Sequence, residues 1–239
     1  MPDPDAAGPL TTTIEDGVAV LRFDDGKANV LSHASVDAFQ AALDRAEAEA
    51  SAVCIVGRDG MFCAGFDLAV MTAGPDAARE LVTHGGRMLM RLYLHPQPVV
   101  GAVTGHALAA GALLVLACDV RIGADVPTKI GLNETSIGMA LPLFALELAR
   151  DRLAPTALAR ATIAAETYDP HGALGAGYLD RVVPAGSLAD EAVAEARRLG
   201  GYQPGPYAQT KESLRRPTMD RVVAGGAADL ARFTVEPPA

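Results

Sequence analysis

The sequence predicts an α/β fold, and three features of the chain lead to this prediction. Short apolar runs such as AVCIVG (52–57) and PVVGAV (98–103) are typical of strands buried on both faces. Segments with apolar residues at helical spacing separate these runs, and this alternation favours parallel strands joined by right-handed crossovers. The chain has 239 residues and 50% hydrophobic content, which is enough for one sizeable core.

The first predicted elements are a hairpin and a helix. Residues 11–24 contain two β-branched segments around Asp16-Gly17, a dipeptide typical of a tight hairpin turn. Ser32 is expected to cap a helix that runs to about Ala50, because apolar residues recur there every three or four positions. The run 52–57 then predicts a buried strand.

The middle of the chain continues this alternation. A helix with Asp76 as its cap follows the loop RDGMFCAGFD (58–67) and leads to the strand 98–103. A further helix is expected from about Ala107 to Ala117, and DVRIGA (119–124) predicts the next strand.

Beyond residue 140 the pattern is mainly helical. Helices are predicted over 141–153 and over 154–164, with Pro155 at the start of the second. The next helix has Asp169 as its cap and Pro170 in its first position.

A short predicted strand, YLDRVV (178–183), precedes the C-terminal region. Three helical patterns follow, separated at GGYQPGP and RRPT by glycine and proline. Such helices bury little on their own, so they are expected to dock on the core or on a neighbouring subunit. The chain is therefore predicted to consist of a core, residues 1–184, and a C-terminal helical region, residues 185–239.

Composition excludes some functions. The chain has 29 acidic and 20 basic residues and a net charge of -9, so its field repels nucleic acid. Its cysteines are three in number and lie among apolar residues, and the start MPDPDAAGPL resembles no secretory signal. We expect a cytoplasmic protein with reduced thiols. No histidine has the spacing of a metal ligand, so no metal site is expected.

A membrane span has to be considered for residues 99–118, because they contain no charged side chain over about the length that a spanning helix needs. The segment HPQPVVGAVTG (95–105), however, has two prolines and two glycines. These residues divide the run into a strand, a turn and a helix too short to span, so no membrane insertion is expected.

Four segments could form a site: DGKANVLS (25–32), GMFCAGFDL (60–68), GHALAAGALLVLACD (105–119) and KIGLNETSIGMALP (129–142). Each has an ordinary structural explanation when taken singly. Glycine-rich turns are common in α/β proteins, and an alanine-rich helix start often serves close packing. Glu134 alone could simply complement a helix dipole at the surface.

Together and in this order, the four segments resemble the crotonase family, the enoyl-CoA hydratase and isomerase superfamily. FCAGFDL is similar to the family loop F-x-x-G-x-D-[IL], and GHALAAGALLVLACDVRI is similar to its glycine-rich helix that ends in C-D-x-R-I. The resemblance extends from about Gly17 to Val183. It implies a crotonase-type spiral of ββα units with a C-terminal helical oligomerisation region, assembled as a homotrimer or a dimer of trimers.

The resemblance also implies an acyl-CoA thioester as substrate, with no separate cofactor. Its carbonyl oxygen would accept hydrogen bonds from the backbone amides of Phe66 and Ala110, which form an oxyanion hole at a helix N-terminus. The substrate-binding positions carried over from the matching motifs are Lys27, Ala28, Ala64, Gly65, Asp67, Leu68, Gly111 and Leu113. Asp67 is expected to orient its loop, and Lys211 is a further candidate for the CoA phosphates.

Two positions bear on the reaction. Hydratases of the family use two glutamates, whereas this chain has Leu113 at the first position and retains Glu134 at the second. The string IGLNETSIG resembles the family's Δ3,Δ2-enoyl-CoA isomerases, which work with a single glutamate. The prediction is therefore isomerisation by Glu134 in fatty acid degradation.

Two alternatives stay open at this point. The first is a 2-enoyl-CoA hydratase with an atypical one-glutamate site. The second is a catalytically reduced protein that binds acyl-CoA, a reading favoured by the missing second acid and the irregular end FTVEPPA.

Overall fold

The computed structural model describes residues 8–234, so residues 1–7 and the last five residues of FTVEPPA lie outside the described part. The described strands are β1 (Leu10–Glu15), β2 (Val18–Phe23), β3 (Val30–Leu31), β4 (Ala52–Val56), β5 (Gly60–Cys63), β6 (Gly65–Phe66), β7 (Val99–Val103), β8 (Gly105–Leu108), β9 (Val120–Ala124), β10 (Ile130–Gly131) and β11 (Arg181–Val183). The described α-helices are α1 (His33–Glu49), α2 (Leu68–Met71), α3 (Pro75–Tyr93), α4 (Ala110–Ala117), α5 (Leu143–Arg152), α6 (Leu158–Thr162), α7 (Pro170–Ala176), α8 (Leu188–Gly200) and α9 (Pro204–Leu230).

The predicted α/β class is confirmed. The main sheet has the strand order β1-β2-β4-β7-β9-β11, in which β1 and β2 pair antiparallel and the other neighbours pair parallel. The hairpin turns at Asp16 and Gly17, with φ values of 49° and 78°. Two positive φ values in succession suit the right-handed twist of a tight hairpin.

Both faces of the main sheet are covered at its centre, which explains why β4 and β7 are apolar throughout. On one face Ala19, Leu21 and Phe23 of β2 join the larger core with α1, α3 and α4. On the other face Val18 and Val20 pack in a second buried cluster with α8. The division at residues 184 and 185 stays a prediction, while α8 itself lies against the sheet.

Two small parallel sheets carry the motif loops. One has the order β10-β8-β5 and the other pairs β3 with β6. The predicted helix start at Ala107 is wrong for this reason, because Gly105–Leu108 forms β8 between two partner strands and the helix begins at Ala110.

Three other predicted boundaries are also wrong. The cap of α3 is Gly74, whose φ of 148° suits glycine, and Asp76 lies in the first turn. Pro155 lies in the turn before α6 instead of at its start. Pro217 does not end a helix, since α9 continues through it; its neighbours Arg215 and Thr218 are buried, and this tertiary packing outweighs the local preference of proline.

The predicted caps Ser32 and Asp169 are confirmed. The Ser32 side chain accepts the N–H of Ser35 and the Asp169 side chain accepts that of Gly172. Within residues 8–234, every helix is too short or too polar to span a membrane.

Candidate active site

The loop 60–68 and the start of α4 are in close contact at two glycines, Gly65 and Gly111. Gly65 has a φ of 107°, and a Cβ there would lie 3.0 Å from the Ala109 Cβ and 3.4 Å from the Ala110 nitrogen. A Cβ at Gly111 would lie 2.0 Å from the Cys63 carbonyl oxygen. Both positions therefore require glycine, and their contact brings the two predicted oxyanion-hole segments together.

Backbone hydrogen bonds fix the conformation of these two segments. Ala109 has a φ of 50°, and its carbonyl accepts the amides of Ala112 (2.9 Å) and Leu113 (3.2 Å). The N–H of Ala110, the first residue of α4, precedes the intrahelical hydrogen-bond ladder. In the β3–β6 pair the Asp67 amide donates to the Leu31 carbonyl (3.2 Å). Because N–H directions alternate along a strand, that of Phe66 points away from β3.

A cavity of about 220 Å³ lies beside these segments. Five predicted site residues line it: Ala64, Phe66, Leu68, Leu113 and Glu134. Its other lining residues are Met71, Val82, Leu108, Ala109, Asn133, Ile137, Met139, Ala140, Pro142, Phe144 and Phe233. Almost all of these side chains are apolar, so the cavity suits the acyl part of a substrate.

Glu134 is buried in this cavity. It opens a short 3₁₀ turn, Glu134–Ile137, which follows β10 and ends at Gly138 with a φ of 78°. The Glu134 carbonyl accepts the Met139 amide at 3.0 Å, and this hydrogen bond fixes the turn.

The Glu134 carboxyl group has little access to water. Its residue is 8% exposed, and within the described part of the chain its Oε2 atom has no hydrogen-bond partner. Burial raises the pKa of Glu134 to about 7, because the charged form loses its hydration. A carboxyl with this pKa can both take and return a proton near neutral pH.

Leu113 lines the same cavity from α4 and is 1% exposed. Among the described residues that line the cavity, Glu134 has the only carboxylate. The cavity thus combines one buried acid, Glu134, with the apolar side chain of Leu113 from α4.

The remaining predicted residues lie near the cavity but not in its lining. Gly65, Ala110 and Gly111 form the backbone contact between the loop and α4. Asp67 caps α2 and accepts the Ala69 amide at 2.9 Å, so it has the loop-orienting role expected for it. Ala28 accepts the Ala64 amide at 3.1 Å, which fixes the distance between two motif loops.

Lys27 is exposed in a loop that Asp25 organises. The Asp25 carboxylate accepts the amides of Lys27 (2.8 Å), Asn29 (2.8 Å) and Val30 (2.9 Å). Although burial works in the opposite direction, these donors lower the pKa of Asp25. The Lys27 backbone is therefore held while its side chain extends towards solvent.

Lys211 does not lie at a ligand surface. It is 7% exposed, and its Nζ is 2.7 Å from the Asp119 Oδ2 atom, while the other Asp119 oxygen is 2.9 Å from Arg215. Burial lowers the pKa of Lys211 to about 8. The expectation that Lys211 contacts CoA is wrong for this chain, since the residue instead joins α9 to the turn between α4 and β9.

Several lining residues were missed from the sequence. Asn133 faces the cavity with an Oδ1 atom that, among the described residues, has no partner. Asn133 could have been predicted as a site residue from the sequence, because it directly precedes Glu134. Phe144 and Phe233 had no such signal, because apolar residues on α5 and after α9 look like ordinary core residues in a sequence.

The fold and the cavity define an enzyme-type site, in which one buried carboxyl faces an apolar cavity, and comparison with known proteins gives the family. A model of the family described as enoyl-CoA hydratase/isomerase matches residues 13–236, so the chain belongs to this family. The predicted crotonase superfamily is confirmed, and the protein is an enzyme of the enoyl-CoA isomerase or hydratase class.

Particular relatives include both activities. The mitochondrial enoyl-CoA delta isomerase 1 of Rattus norvegicus is 29% identical over 92% of this chain and 78% of its own. A putative enoyl-CoA hydratase of Thermus thermophilus is 32% identical over 84% of this chain and 82% of its own. The crystal structure of an enoyl-CoA hydratase/isomerase family protein from Pseudomonas syringae has a TM-score of 0.92 and 40% identity, covering 94% of this chain and 98% of that one. The crotonase-type fold is thereby confirmed.

Proposed function

We propose that the protein isomerises Δ3-enoyl-CoA thioesters to Δ2-enoyl-CoA thioesters, with Glu134 as the single acid–base group. One observation carries the proposal: among the described residues that line the cavity only Glu134 has a carboxylate. Leu113, which the family resemblance aligns with the first glutamate of a hydratase, is apolar. Moving a double bond needs one group that takes a proton and gives it back. Adding water also needs a second group, which takes a proton from the attacking water molecule.

In the proposed mechanism the thioester oxygen accepts the amides of Phe66 and Ala110. Glu134 removes a proton from C2, and the negative charge moves onto the thioester oxygen as a dienolate forms. Oxyanion-hole donors each typically contribute about 3 kcal/mol to such a step. The protonated Glu134 then delivers the proton to C4, so that the double bond lies between C2 and C3. Atoms balance without water or a cofactor.

Binding of the CoA part is assigned to the motif loops. Lys27 supplies a cation for the phosphates, while the backbone at Ala28, Ala64 and Gly65 lies along the ligand. Leu68 is 61% exposed at the mouth of the cavity, where it can cover the pantetheine arm. No cofactor beyond the CoA thioester substrate is part of the proposal.

The proposal also includes the pathway, the compartment and the oligomeric state of the enzyme. We assign it to fatty acid degradation in the cytoplasm, as a homotrimer or a dimer of trimers joined through residues 185–239. The three cysteines are unpaired and buried, which suits a reducing compartment. Sedimentation of the purified protein tests the assembly.

A substrate panel tests the proposed activity. Purified protein is offered 3-enoyl, 2-enoyl and 3-hydroxyacyl thioesters, and we expect rapid formation of the conjugated 2-enoyl product from the first. Glu134→Gln should remove this activity, and a variant as active as the wild type would refute the role of Glu134.

The name of the Thermus relative favours hydration as a second candidate. Hydration of crotonyl-CoA at the rate of a two-glutamate enzyme would support that candidate against the first. Tight acyl-CoA binding without turnover of any thioester in the panel would instead favour a binding protein.

A further inference from the structure

A second cavity lies between α3 and α9, next to the catalytic one. Its volume is about 870 Å³, against about 220 Å³ for the catalytic cavity. Its apolar lining includes Met90 of α3, Leu94 directly after α3, and Met219, Val222, Val223 and Leu230 of α9. Val223 is 68% exposed, an unusual environment for an apolar side chain that lines a cavity.

A single side chain, Phe144, lines both cavities. Behind its ring lies Gly86 of α3, where a Cβ would be 2.8 Å from the Phe144 Cε1 atom. Phe144 itself is 4% exposed. Phe144 is therefore the described side chain that the two cavities share, and its ring rests on a helix position without a side chain.

Two of the three arginines that line the second cavity have carboxylate partners. Arg91 contacts Asp44 at 2.6 Å, and Arg79 contacts Asp76 at 2.7 Å. These ion pairs offset two of the rim cations, so the lining favours an apolar occupant over a phosphate group. Arg87 remains at the exposed side of the rim.

We propose that the second cavity binds the distal part of long acyl chains, which reach it from the catalytic cavity past Phe144. The inference rests on the proposed function in one respect, namely that an acyl thioester occupies the catalytic cavity. It assigns the enzyme to long-chain substrates, because the second cavity adds apolar surface beyond the end of the first. Each methylene group buried there strengthens binding by up to about fourfold.

Gly226 of α9 allows a clean test. It lines the second cavity, and a Cβ there would meet only Val222 Cγ1, at 3.8 Å, so the first side-chain atom of Gly226→Phe has room, and its ring is expected to extend into the cavity. Ala228 is exposed on the same helix and does not line the cavity, so Ala228→Phe is the matched control.

Calorimetry measures the binding of hexanoyl-CoA, decanoyl-CoA and palmitoyl-CoA, which needs no turnover. For the wild type and Ala228→Phe we expect palmitoyl-CoA to bind at least about tenfold more tightly than decanoyl-CoA. Gly226→Phe should lose this gain while its affinity for hexanoyl-CoA stays unchanged. In stopped-flow measurements Phe144→Leu should speed the association of palmitoyl-CoA more than that of hexanoyl-CoA.

Either of two results would overturn the inference: a wild-type affinity that stops rising at decanoyl-CoA, or a palmitoyl-CoA affinity that Gly226→Phe leaves unchanged. An unaltered association rate in Phe144→Leu would exclude the path past Phe144. Loss of isomerase activity on every 3-enoyl thioester would refute the proposed function alone, since the binding results are independent of turnover.

Discussion

Replacing Glu134 by glutamine should abolish activity and stabilise the fold at the same time. The substitution keeps the shape of the side chain but removes its charge. In the wild type the Glu134 carboxyl is 8% exposed and its Oε2 atom lacks a partner among the described residues. A charge in that environment costs stability, and glutamine does not carry that cost.

The magnitude follows from the pKa of Glu134, which burial raises from 4.5 to about 7. Below about pH 4 the carboxyl is protonated in both the folded and the unfolded chain, so its ionisation does not affect stability. As pH rises towards 7 the unfolded chain loses its proton while the folded chain keeps it, and the folded state loses stability. Above 7 this loss levels off at about 3 kcal/mol.

Glu134→Gln should therefore unfold at a higher temperature than the wild type at about pH 8, by roughly 6–12 °C for a chain of this size. At about pH 5 the difference should fall below about 1 kcal/mol. Thermal unfolding at the two pH values, at one protein concentration, measures this effect.

In the same preparation kcat for a 3-enoyl thioester should fall by at least about a thousandfold, because no other carboxylate in the cavity can replace the base. Equal stability of the two proteins at both pH values would refute the burial argument. Undiminished turnover would refute the assignment of the base.

Three further predictions concern the base, the loop and the buried ion cluster. The kcat/KM for isomerisation should rise about tenfold per pH unit below about pH 7 and level off above it, because Glu134 must be ionised to accept the proton; a flat profile from pH 5 to 8 would contradict this. Gly65→Ala should lower kcat by about a hundredfold, since its Cβ would press on Ala109 and displace a donor, and circular dichroism should show an intact fold. Asp119→Asn should destabilise the protein by about 3–5 kcal/mol in denaturant titrations because Lys211 and Arg215 lose their buried counter-ion, whereas the exposed Arg216→Gln should have little effect.

The sequence allowed the sheet and its helices to be predicted because apolar runs and caps are local signals. The strand runs 52–57 and 98–103 and the caps Ser32 and Asp169 depend on residues that are close in sequence. The start of α4 was misplaced because GHAL becomes a strand only through its two partners, β5 and β10. Pairing of that kind is not visible in the segment itself.

The site could be predicted in part for the same reason. Glu134 and the loop around Gly65 belong to compact motifs, so their roles could be expected from the chain alone. Phe233 and Phe144 reach the cavity through the packing of α5 and α9, which involves residues far apart in sequence. The error for Lys211 has a similar origin, because only the fold brings Asp119 within 2.7 Å of it.

The central claim is that one carboxylate, Glu134, carries a single proton from C2 to C4. A 3-enoyl thioester with deuterium at C2 is converted in ordinary water, and mass spectrometry measures the label at C4 of the product. Since Glu134 is shielded from water, we predict that a measurable share of the product retains the transferred deuteron at C4. Product that carries only solvent hydrogen at C4, together with undiminished turnover in Glu134→Gln, would contradict the account.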